Sequence, residues 1–413
     1  MSIGITRGSI RVEQEGRAHM RDDLVLASGC WTRRGTGVGF AGYAGVMMLA
    51  VGLAGCDDTT PTLEVPGLPG AAPASMADGF QVDPFWPKPL PEGWLLGNVV
   101  GVATDSGDNV WIIHRPGSQA GAGETPPVIA FDPAGNVVQS WGAPGDGYDW
   151  GTQTHGIHVD HQDNVWVGFG GGLPYDPTSP TTTDNALVLK FTPAGEFLLQ
   201  IGDFGRGTEG SSSTEFLGQP TDIFVDPQTD EVYISDGYTN RRVIVFDANT
   251  GEHKRLWGAY GNTPDDGPMP RFSRDSELPP QFSTPHCVAG AADGLVYVCD
   301  RGNQRIQVFN TDGTFVAERL IEARLGAGRV GGTPWDLAFS RDPEHRFLFV
   351  VDGGGHAVHT LARDSLEVVA SFGRRGRWAG QFESPHSLAL DSQGNLFVGE
   401  TLDGRRVQKF VPK

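Results

Sequence analysis

TPHCVAGAADGLVYVCDRGNQRIQVFN (Thr284–Asn310) is one copy of a pattern that recurs along this chain. The copy has an apolar strand, a turn at Asp293-Gly294, a second apolar strand, a small polar turn and a third strand that ends in an aromatic residue. Degenerate copies start near Val100, Thr154 and Thr333. The other clear copies are QPTDIFVDPQTDEVYISDGYTNRRVIVFD (Gln219–Asp247) and SPHSLALDSQGNLFVGETLDGRRVQKF (Ser384–Phe410). Short apolar strands separated by Asp/Gly turns predict β-structure throughout.

Six such copies are typical of a β-propeller, in which each blade buries its faces against its neighbours. The pattern resembles NHL repeats, and it predicts an all-β, six-bladed NHL-type propeller over residues 78–413. The last copy reaches Lys413 after only three strands. A strand from the start of the domain must complete it, because an unpaired strand edge invites aggregation. We expect Phe80–Trp86 (FQVDPFW) to be that strand.

The composition is that of a globular protein, with 413 residues, of which 38% are hydrophobic and 20% charged. The chain is rich in glycine (59) and proline (29), which favours turns over helices. Its formal net charge of −19 argues against nucleic acid as a partner, since phosphates require clustered lysine and arginine. We expect a monomer.

Residues 1–55 are interpreted as an export segment. Two arginines precede an apolar run, Val38–Ala54, that is too short to be a convincing membrane span. The run ends in Leu53-Ala54-Gly55-Cys56, which resembles the lipobox of bacterial lipoproteins, so Cys56 is the expected lipid-bearing residue. Residues 56–77, rich in Thr, Pro, Gly and Ala, are then a flexible linker. The chain is expected to be exported and lipid-anchored on a periplasmic or extracellular membrane face; a cleaved signal with an incidental cysteine is the alternative.

Cys287 and Cys299 are the two cysteines of the propeller, and they lie on the first and second strands of one copy. They are roughly symmetric about the turn, so an antiparallel pair places them opposite each other. An oxidising compartment then favours a disulfide between them. Two buried thiols are the alternative.

One position of the repeat carries histidine in every second copy. The residues at this position, from first copy to sixth, are Val100, His155, Thr221, His286, Trp335 and His386. In a closed ring, histidines in alternate blades are about 120° apart around the central channel, where the first strands lie. Three imidazoles with an open position are typical of a catalytic zinc site. Zinc is therefore the first candidate, although iron, copper and manganese remain open on ligand type alone.

Two residues near the expected channel mouth can carry further chemistry. Arg115 ends the second strand of the first copy, and a guanidinium near a metal suits a substrate carboxylate. Tyr238 follows the second strand of the third copy and can act as a base beside a cation. The alternatives are a salt bridge to a turn carboxylate for Arg115 and a packing role for Tyr238. The acids that recur at the turns are interpreted as structural, and His158 and His161 as local. These acids are Asp105, Asp160, Asp226, Asp236, Asp300, Asp352, Asp391 and Glu400.

From about residue 97 to Lys413, the motifs GVATDSGDNVWIIHR, THGIHVDHQDNVWV, FSTPHCVA and SPHSLAL resemble the peptidyl-α-hydroxyglycine α-amidating lyase family. The resemblance implies a zinc site at the three histidines, Arg115 as the substrate arginine, Tyr238 as the catalytic tyrosine and Arg301 as a second substrate-binding arginine. It also implies a structural calcium bound by the backbone carbonyls of Val102 and Ile157.

The sequence departs from the family pattern around the last histidine. The aspartate expected as third calcium ligand is Ser387, and a methionine two residues before His386 is Ser384. Asp222 or Asp336 is a candidate replacement carboxylate.

The implied reaction cleaves the N–Cα bond of a peptidyl- or acyl-α-hydroxyglycine to give an amide and glyoxylate. Two other readings remain: a non-catalytic surface propeller that binds peptides or glycans, and a propeller hydrolase of the calcium-dependent lactonase type. The latter uses carboxylate and amide ligands, which a ring of histidines does not provide.

Overall fold

A computed structural model describes residues 79–120, 125–170, 186–205, 209–273, 275–322 and 332–413. The predicted export segment, the linker and Cys56 lie outside these residues. The described part contains strands and three short 3-10 turns, at Pro116–Ser118, Ala259–Gly261 and Arg301–Asn303, but no α-helix. It contains no helix that is long and apolar enough to span a membrane.

The strands form six four-stranded antiparallel sheets, which are the six predicted blades. Blade 1 comprises β2 (Asn98–Thr104), β3 (Val110–Arg115), β4 (Val128–Phe131) and β5 (Val137–Trp141). Blade 2 comprises β6 (Thr154–Val159), β7 (Val165–Phe169), β8 (Leu187–Phe191) and β9 (Phe197–Gly202). Blade 3 comprises β10 (Pro220–Asp226), β11 (Glu231–Asp236), β12 (Arg242–Asp247) and β13 (His253–Trp257).

Blade 4 comprises β14 (Pro285–Gly290), β15 (Leu295–Asp300), β16 (Arg305–Asn310) and β17 (Phe315–Leu320). Blade 5 comprises β18 (Leu337–Phe339), β19 (Phe347–Asp352), β20 (Ala357–Ala362) and β21 (Glu367–Phe372). Blade 6 comprises β22 (Pro385–Leu390), β23 (Leu396–Glu400), β24 (Arg406–Pro412) and, as its fourth strand, β1 (Phe80–Asp83).

The ring closes in the way the sequence predicts. Phe80 pairs with Pro412 and Asp83 with Lys409, so β1 covers the outer edge of β24. Trp86 follows and packs between Phe131 of blade 1 and Phe397 of blade 6, with ring centroids 5.6 and 4.9 Å away. The first strand of the domain therefore pairs with the last one, and Trp86 packs between the first and last blades.

Six buried hydrophobic clusters are found in the described residues, and each belongs to a pair of neighbouring blades. Each blade therefore packs against a neighbour on both of its faces. Because its strands are buried on both faces, their sequences are near-continuous apolar runs. The first strand of every blade also contacts the first strand of the next, and β22 contacts β2. These inner strands surround the central channel.

Candidate metal centre

His155, His286 and His386 come together in the channel. Their ring centroids are 5.0 Å (His155–His286), 4.9 Å (His155–His386) and 5.0 Å (His286–His386) apart. All three are buried, and their ligand nitrogens lie within 4.8 Å of one another. Across the described ranges this is the sole group of His, Cys, Asp or Glu with such a spacing. The arrangement fits three imidazoles that share one ion with a position left open.

A local irregularity of the inner strand aims each histidine at the channel. The pairing of first and second strands slips at His155/Ile157, at Pro285/Cys287 and at Pro385/Ser387. An extra residue of this kind bends the strand and re-aims a side chain. The same slip occurs in blades 1 and 3, at Val99/Gly101 and Pro220/Asp222, so it belongs to the repeat. The residue left unpaired is the histidine itself in blades 4 and 6 and Gly156, next to His155, in blade 2.

Blades without a histidine supply a backbone carbonyl instead. His155 Nδ1 donates to the Thr221 carbonyl and His286 Nδ1 to the Trp335 carbonyl, both at 2.6 Å. The Val100 carbonyl raises the pKa of His386 as an acceptor does, although its geometry falls short of a full hydrogen bond. Because a carbonyl only accepts, the proton lies on Nδ1 and the Nε2 lone pair is left for the channel. Such second contacts fix the orientation of metal-ligating histidines.

The imidazoles are uncharged near neutral pH. Burial lowers the pKa of all three histidines well below the usual 6.5. The charge of Arg115 lowers the pKa of His155 and His386 further, and that of Arg301 lowers the pKa of all three. A neutral imidazole is the form that binds a metal ion, so the ring requires no deprotonation before binding.

Tyr238 stands next to the histidine ring. Its hydroxyl oxygen is 3.1 Å from His155 Nε2 and 3.2 Å from His286 Nε2. Arg301 Nη1 donates to the same oxygen at 3.4 Å, and its guanidinium lies 5.2 Å from the centre of the tyrosine ring. The phenol is therefore within hydrogen-bonding distance of the atoms that face the channel and touches a positive charge.

Arg115 reaches from blade 1 towards blade 2. Its Nε donates to the Thr154 carbonyl at 2.8 Å and its Nη2 to the Gly170 carbonyl at 3.1 Å. Burial lowers the pKa of Arg115, and the nearby Tyr238 raises it. Within the described residues it forms no salt bridge, contrary to the structural alternative considered for it. Nη1 and the second hydrogen of Nη2 are left for a ligand.

His114 is a residue whose role the sequence did not indicate. In three other blades, the acid that ends the second strand accepts a hydrogen bond from a backbone N–H before the first strand and binds an arginine of the third. These pairs are Asp236 with Gly218 and Arg242, Asp300 with Ser283 and Arg305, and Glu400 with Glu383 and Arg406. In blade 1, His114 Nδ1 accepts from the Gly97 N–H at 3.1 Å instead.

This substitution changes the charge beside Arg115. Burial lowers the pKa of His114 to about 4, so an uncharged ring occupies the place of a carboxylate. The arginine that follows it thus has no acid next to it in the strand. The replacement of the repeat's acid by His114-Arg115 is the signal in the sequence that would have revealed this.

The channel holds a second group of polar side chains beyond the histidines. Asp222, Asp336 and Ser387 line one cavity together with Val102 and Ile157. Burial raises the pKa of Asp336 to about 7, and burial and the charge of Asp336 raise that of Asp222 well above its usual value. Ser387 Oγ accepts a hydrogen bond from the Val102 N–H at 3.0 Å and also contacts Asp336.

The remaining predicted residues take structural places. Cys287 and Cys299 face each other across β14 and β15 and form a disulfide, with a Cα–Cα distance of 4.9 Å. His158 Nε2 accepts from the Val225 N–H, and His161 contacts Asp230, which agrees with local roles. The turn acids Asp105, Asp160, Asp226 and Asp391 bond turn backbone and side chains, and Asp352 contacts His359. The Ser384 carbonyl accepts from the Thr401 N–H, at the base of blade 6.

Comparisons with known proteins found a matching repeat model and several similar proteins. The NHL repeat model matches residues 282–309. Peptidylglycine alpha-amidating monooxygenase of Rattus norvegicus is 28% identical over 74% of this chain and 30% of the rat protein. Peptidyl-alpha-hydroxyglycine alpha-amidating lyase 1 of Drosophila melanogaster is 29% identical over 76% of this chain and 57% of the fly protein. NHL repeat-containing protein 3 of Mus musculus is 27% identical over 81% of this chain and 84% of the mouse protein.

The similarity thus covers most of the chain, whereas the chain spans less than two thirds of the two amidating relatives. The mouse relative is matched along nearly its whole length, and its name states a repeat and no reaction. The chain is a six-bladed, NHL-type β-propeller that resembles the peptidyl-α-hydroxyglycine α-amidating lyases.

Proposed function

We propose that this protein is a zinc-dependent lyase that cleaves the N–Cα bond of peptidyl- or acyl-α-hydroxyglycine to give an amide and glyoxylate. The observation that carries the proposal is the Tyr238 hydroxyl, which lies 3.1 and 3.2 Å from the Nε2 atoms of two of the three ring histidines. A tyrosine that only packs has no reason to place its hydroxyl within hydrogen-bonding distance of two nitrogens that face the channel. The name of the Drosophila relative states the same class of reaction.

The donor set supports zinc. Three neutral imidazoles, two of them with tautomers fixed by backbone carbonyls, suit this ion, and a fourth position remains for substrate. Zinc bound there supplies a Lewis acid for the hydroxyl oxygen of the substrate. No redox change is needed, so a metal without redox chemistry suffices.

The chain's own residues provide the proton transfers. Tyr238, which acts as the base beside the guanidinium of Arg301, takes the proton of the carbinol hydroxyl. The C–O bond becomes a carbonyl while the C–N bond breaks, and its electron pair stays on nitrogen. Tyr238 returns the proton to that nitrogen, which completes the amide R–CO–NH2. Arg115 and Arg301 hold the carboxylate that leaves as glyoxylate.

A calcium ion in the second group of the channel is part of the proposal. Carboxylate and backbone carbonyl oxygens are the ligands that calcium prefers. With Ser387 in place of the family's aspartate, Asp336 and Asp222 are the carboxylates available beside Val102 and Ile157. Two buried carboxylates are also costly without a cation or a proton between them, which favours an ion at this place.

We also propose that Cys56 carries a lipid and anchors the propeller to a membrane face, so that the substrate is an exported or external acyl- or peptidyl-hydroxyglycine. Metabolic labelling with a palmitate analogue, compared between wild type and Cys56→Ala, tests this. Label that persists in Cys56→Ala would refute the anchor.

The function itself is tested with the purified chain and α-hydroxyhippurate. We expect about one equivalent of zinc per chain and release of glyoxylate together with benzamide. His286→Ala should lose both, whereas the matched control His161→Ala, which removes a partly exposed imidazole outside the ring, should keep both. A chain that binds metal but releases no glyoxylate would favour a non-catalytic surface propeller.

A further inference from the structure

Among the described residues, side chains of blades 3, 4 and 5 pack over one side of the channel mouth. The Arg301 guanidinium lies 5.2 Å from the centre of the Tyr238 ring and 4.8 Å from that of the Trp335 ring. The Trp335 ring in turn packs against His286 and His386, with centroids 5.7 and 5.3 Å away. Three packed side chains thus cover the histidine ring over blades 3 to 5. A substrate that reaches the ring from this side has to displace them.

The opposite side of the mouth carries a cleft between blades 1 and 2. Its volume is about 350 Å³, which is within the range of small-molecule sites. Arg115 and Thr154 line it, and Thr154 directly precedes His155 in β6. Because Arg115 Nε donates to the Thr154 carbonyl, the same guanidinium borders both the cleft and the histidine ring. Arg115 therefore links the cleft to the metal centre, where its charge lowers the pKa of His155 and His386.

Part of the cleft wall is flat and apolar. Trp150, Pro116 and Pro127 form this part, and the rest of the lining is mostly polar and includes Thr152 and Gln153. The inner edge of the half-buried Trp150 indole packs on Phe169, with ring centroids 4.9 Å apart at 80°. The indole is thus held in place before any ligand arrives, which lowers the entropy lost on binding.

The chemistry of an acyl-α-hydroxyglycine matches this layout. Its hydroxyl and carboxylate belong at the ring and the arginines, and its acyl group extends from the amide on the other side of the carbinol carbon. With blades 3 to 5 covered, that group is directed past Arg115 into the cleft. Arg115 Nη1, which makes no hydrogen bond within the described residues, is available to the substrate's carbonyl or carboxylate oxygen.

We infer that the cleft lined by Arg115, Trp150, Pro116 and Pro127 binds the acyl part of the substrate and selects a flat, aromatic acyl group over a small one. The inference rests on the proposed function for the reaction, but the binding preference is measurable without turnover. Trp150 is then a specificity-determining residue.

The test uses two glycines that lack the hydroxyl and cannot be cleaved, N-benzoylglycine and N-acetylglycine, with calorimetry on the metal-loaded chain. We expect wild type to bind the benzoyl compound about tenfold more tightly, since stacking of one aromatic ring on an apolar wall is worth that much. Trp150→Ala should remove this preference while N-acetylglycine binds as before. Trp378→Ala is the matched control, because this indole is 80% exposed in the segment before β22 and lies outside the cleft.

A second variant guards against a folding defect in Trp150→Ala. Thr152→Trp fills the rim of the cleft from an exposed position and should weaken N-benzoylglycine binding with no effect on the core. Equal affinities of wild type for the two glycines, or unchanged benzoyl binding in both variants, would overturn the inference. Selective benzoyl binding without glyoxylate release from α-hydroxyhippurate would support the cleft and refute the reaction. Glyoxylate release at equal efficiency from acetyl and benzoyl substrates would support the reaction and refute the role of the cleft.

Discussion

The residue at one repeated position decides what each blade contributes to the centre. Histidine gives a ligand nitrogen in blades 2, 4 and 6, and the backbone carbonyls of Thr221 and Trp335 orient the ligands of the preceding blades. Every residue type has this backbone carbonyl, so the side chain at this position can vary in these blades. The chain uses that freedom at Trp335, whose ring supports Arg301.

Tyr238→Phe tests the role of one oxygen atom. The variant keeps the ring that packs against Arg301 but loses the hydroxyl between the two Nε2 atoms. We expect glyoxylate release to fall by about 10²–10⁴-fold, the usual contribution of a proton-transferring side chain. The zinc content, measured by plasma emission, should stay at the wild-type value. Loss of zinc together with activity would instead assign Tyr238 to metal binding.

Asp336→Asn tests the buried carboxylates through pH. The pKa of Asp336 in the folded chain is about 7, above the ordinary value of about 3.9 in an unfolded chain. Its protonated form therefore stabilises the fold below pH 4, and this contribution is lost as the pH rises through 7. In a chelator, wild type should lose about 2 kcal/mol more free energy of unfolding than Asp336→Asn between pH 5 and 8.

The measurement is urea unfolding at both pH values, with millimolar calcium as the second arm. Calcium that binds the folded chain should restore the stability of wild type at pH 8 and have less effect on Asp336→Asn. Parallel pH dependence of the two proteins would mean that the carboxylates do not share a titration, and an absence of any calcium effect would remove the ion.

At the scale of elements, two neighbouring strands of blade 4 lead to the site. β14 carries His286, and β15 ends at Asp300, directly before Arg301. The disulfide joins the two strands at Cys287, which follows His286, and at Cys299, which precedes Asp300. It therefore ties the strand of His286 to the strand that precedes Arg301, in addition to its effect on the unfolded chain.

Removal of this disulfide should cost stability before it costs activity. The cysteines are 12 positions apart in the sequence, so Cys287→Ala/Cys299→Ala should lower the free energy of unfolding by about 3 kcal/mol. Guanidinium unfolding of oxidised wild type, reduced wild type and the double variant measures it. Reduced wild type should match the double variant, because both lack the crosslink; a large gap between them would indicate that the loss comes from packing of the alanines.

How far the sequence predicts these elements depends on whether the pattern is repeated. The blade strands, the disulfide register and the shared place of the three histidines follow from repeat spacing. The sequence does not reveal the bulge that aims each histidine or the hydrogen bond from the Gly97 N–H to His114. Both depend on backbone geometry that local residue preferences do not determine. The Trp150 cleft lies between blades and arises only when two sheets pack. Such contacts between distant residues lie beyond a repeat pattern.

On the scale of the whole molecule, the metal centre depends on closure of the ring. Its ligands come from three blades that share no sheet, so their convergence is set by the packing of neighbouring blades. Blade 6 meets blade 1 through the cluster that includes Val99, Trp86 and Phe397. The strand that completes blade 6 is β1, at the other end of the domain from β24. A loosened closure should thus reach the site although β1 lies on the outer edge.

A chain that begins after Asp83 tests this dependence, with a chain that begins at Thr59 and keeps β1 as its control. Deletion of β1 leaves the edge of β24 unpaired and removes Phe80 from its contacts with Phe349 and Phe372. Loss of one such aromatic costs about 3–5 kcal/mol, so the midpoint of thermal unfolding should fall by about 5 °C or more. Light scattering should show self-association through the free edge, and bound zinc should be lost at a lower temperature than in the control. If both chains melt and release zinc together, blade 6 holds its histidine without β1, and the site depends on blade-to-blade packing alone.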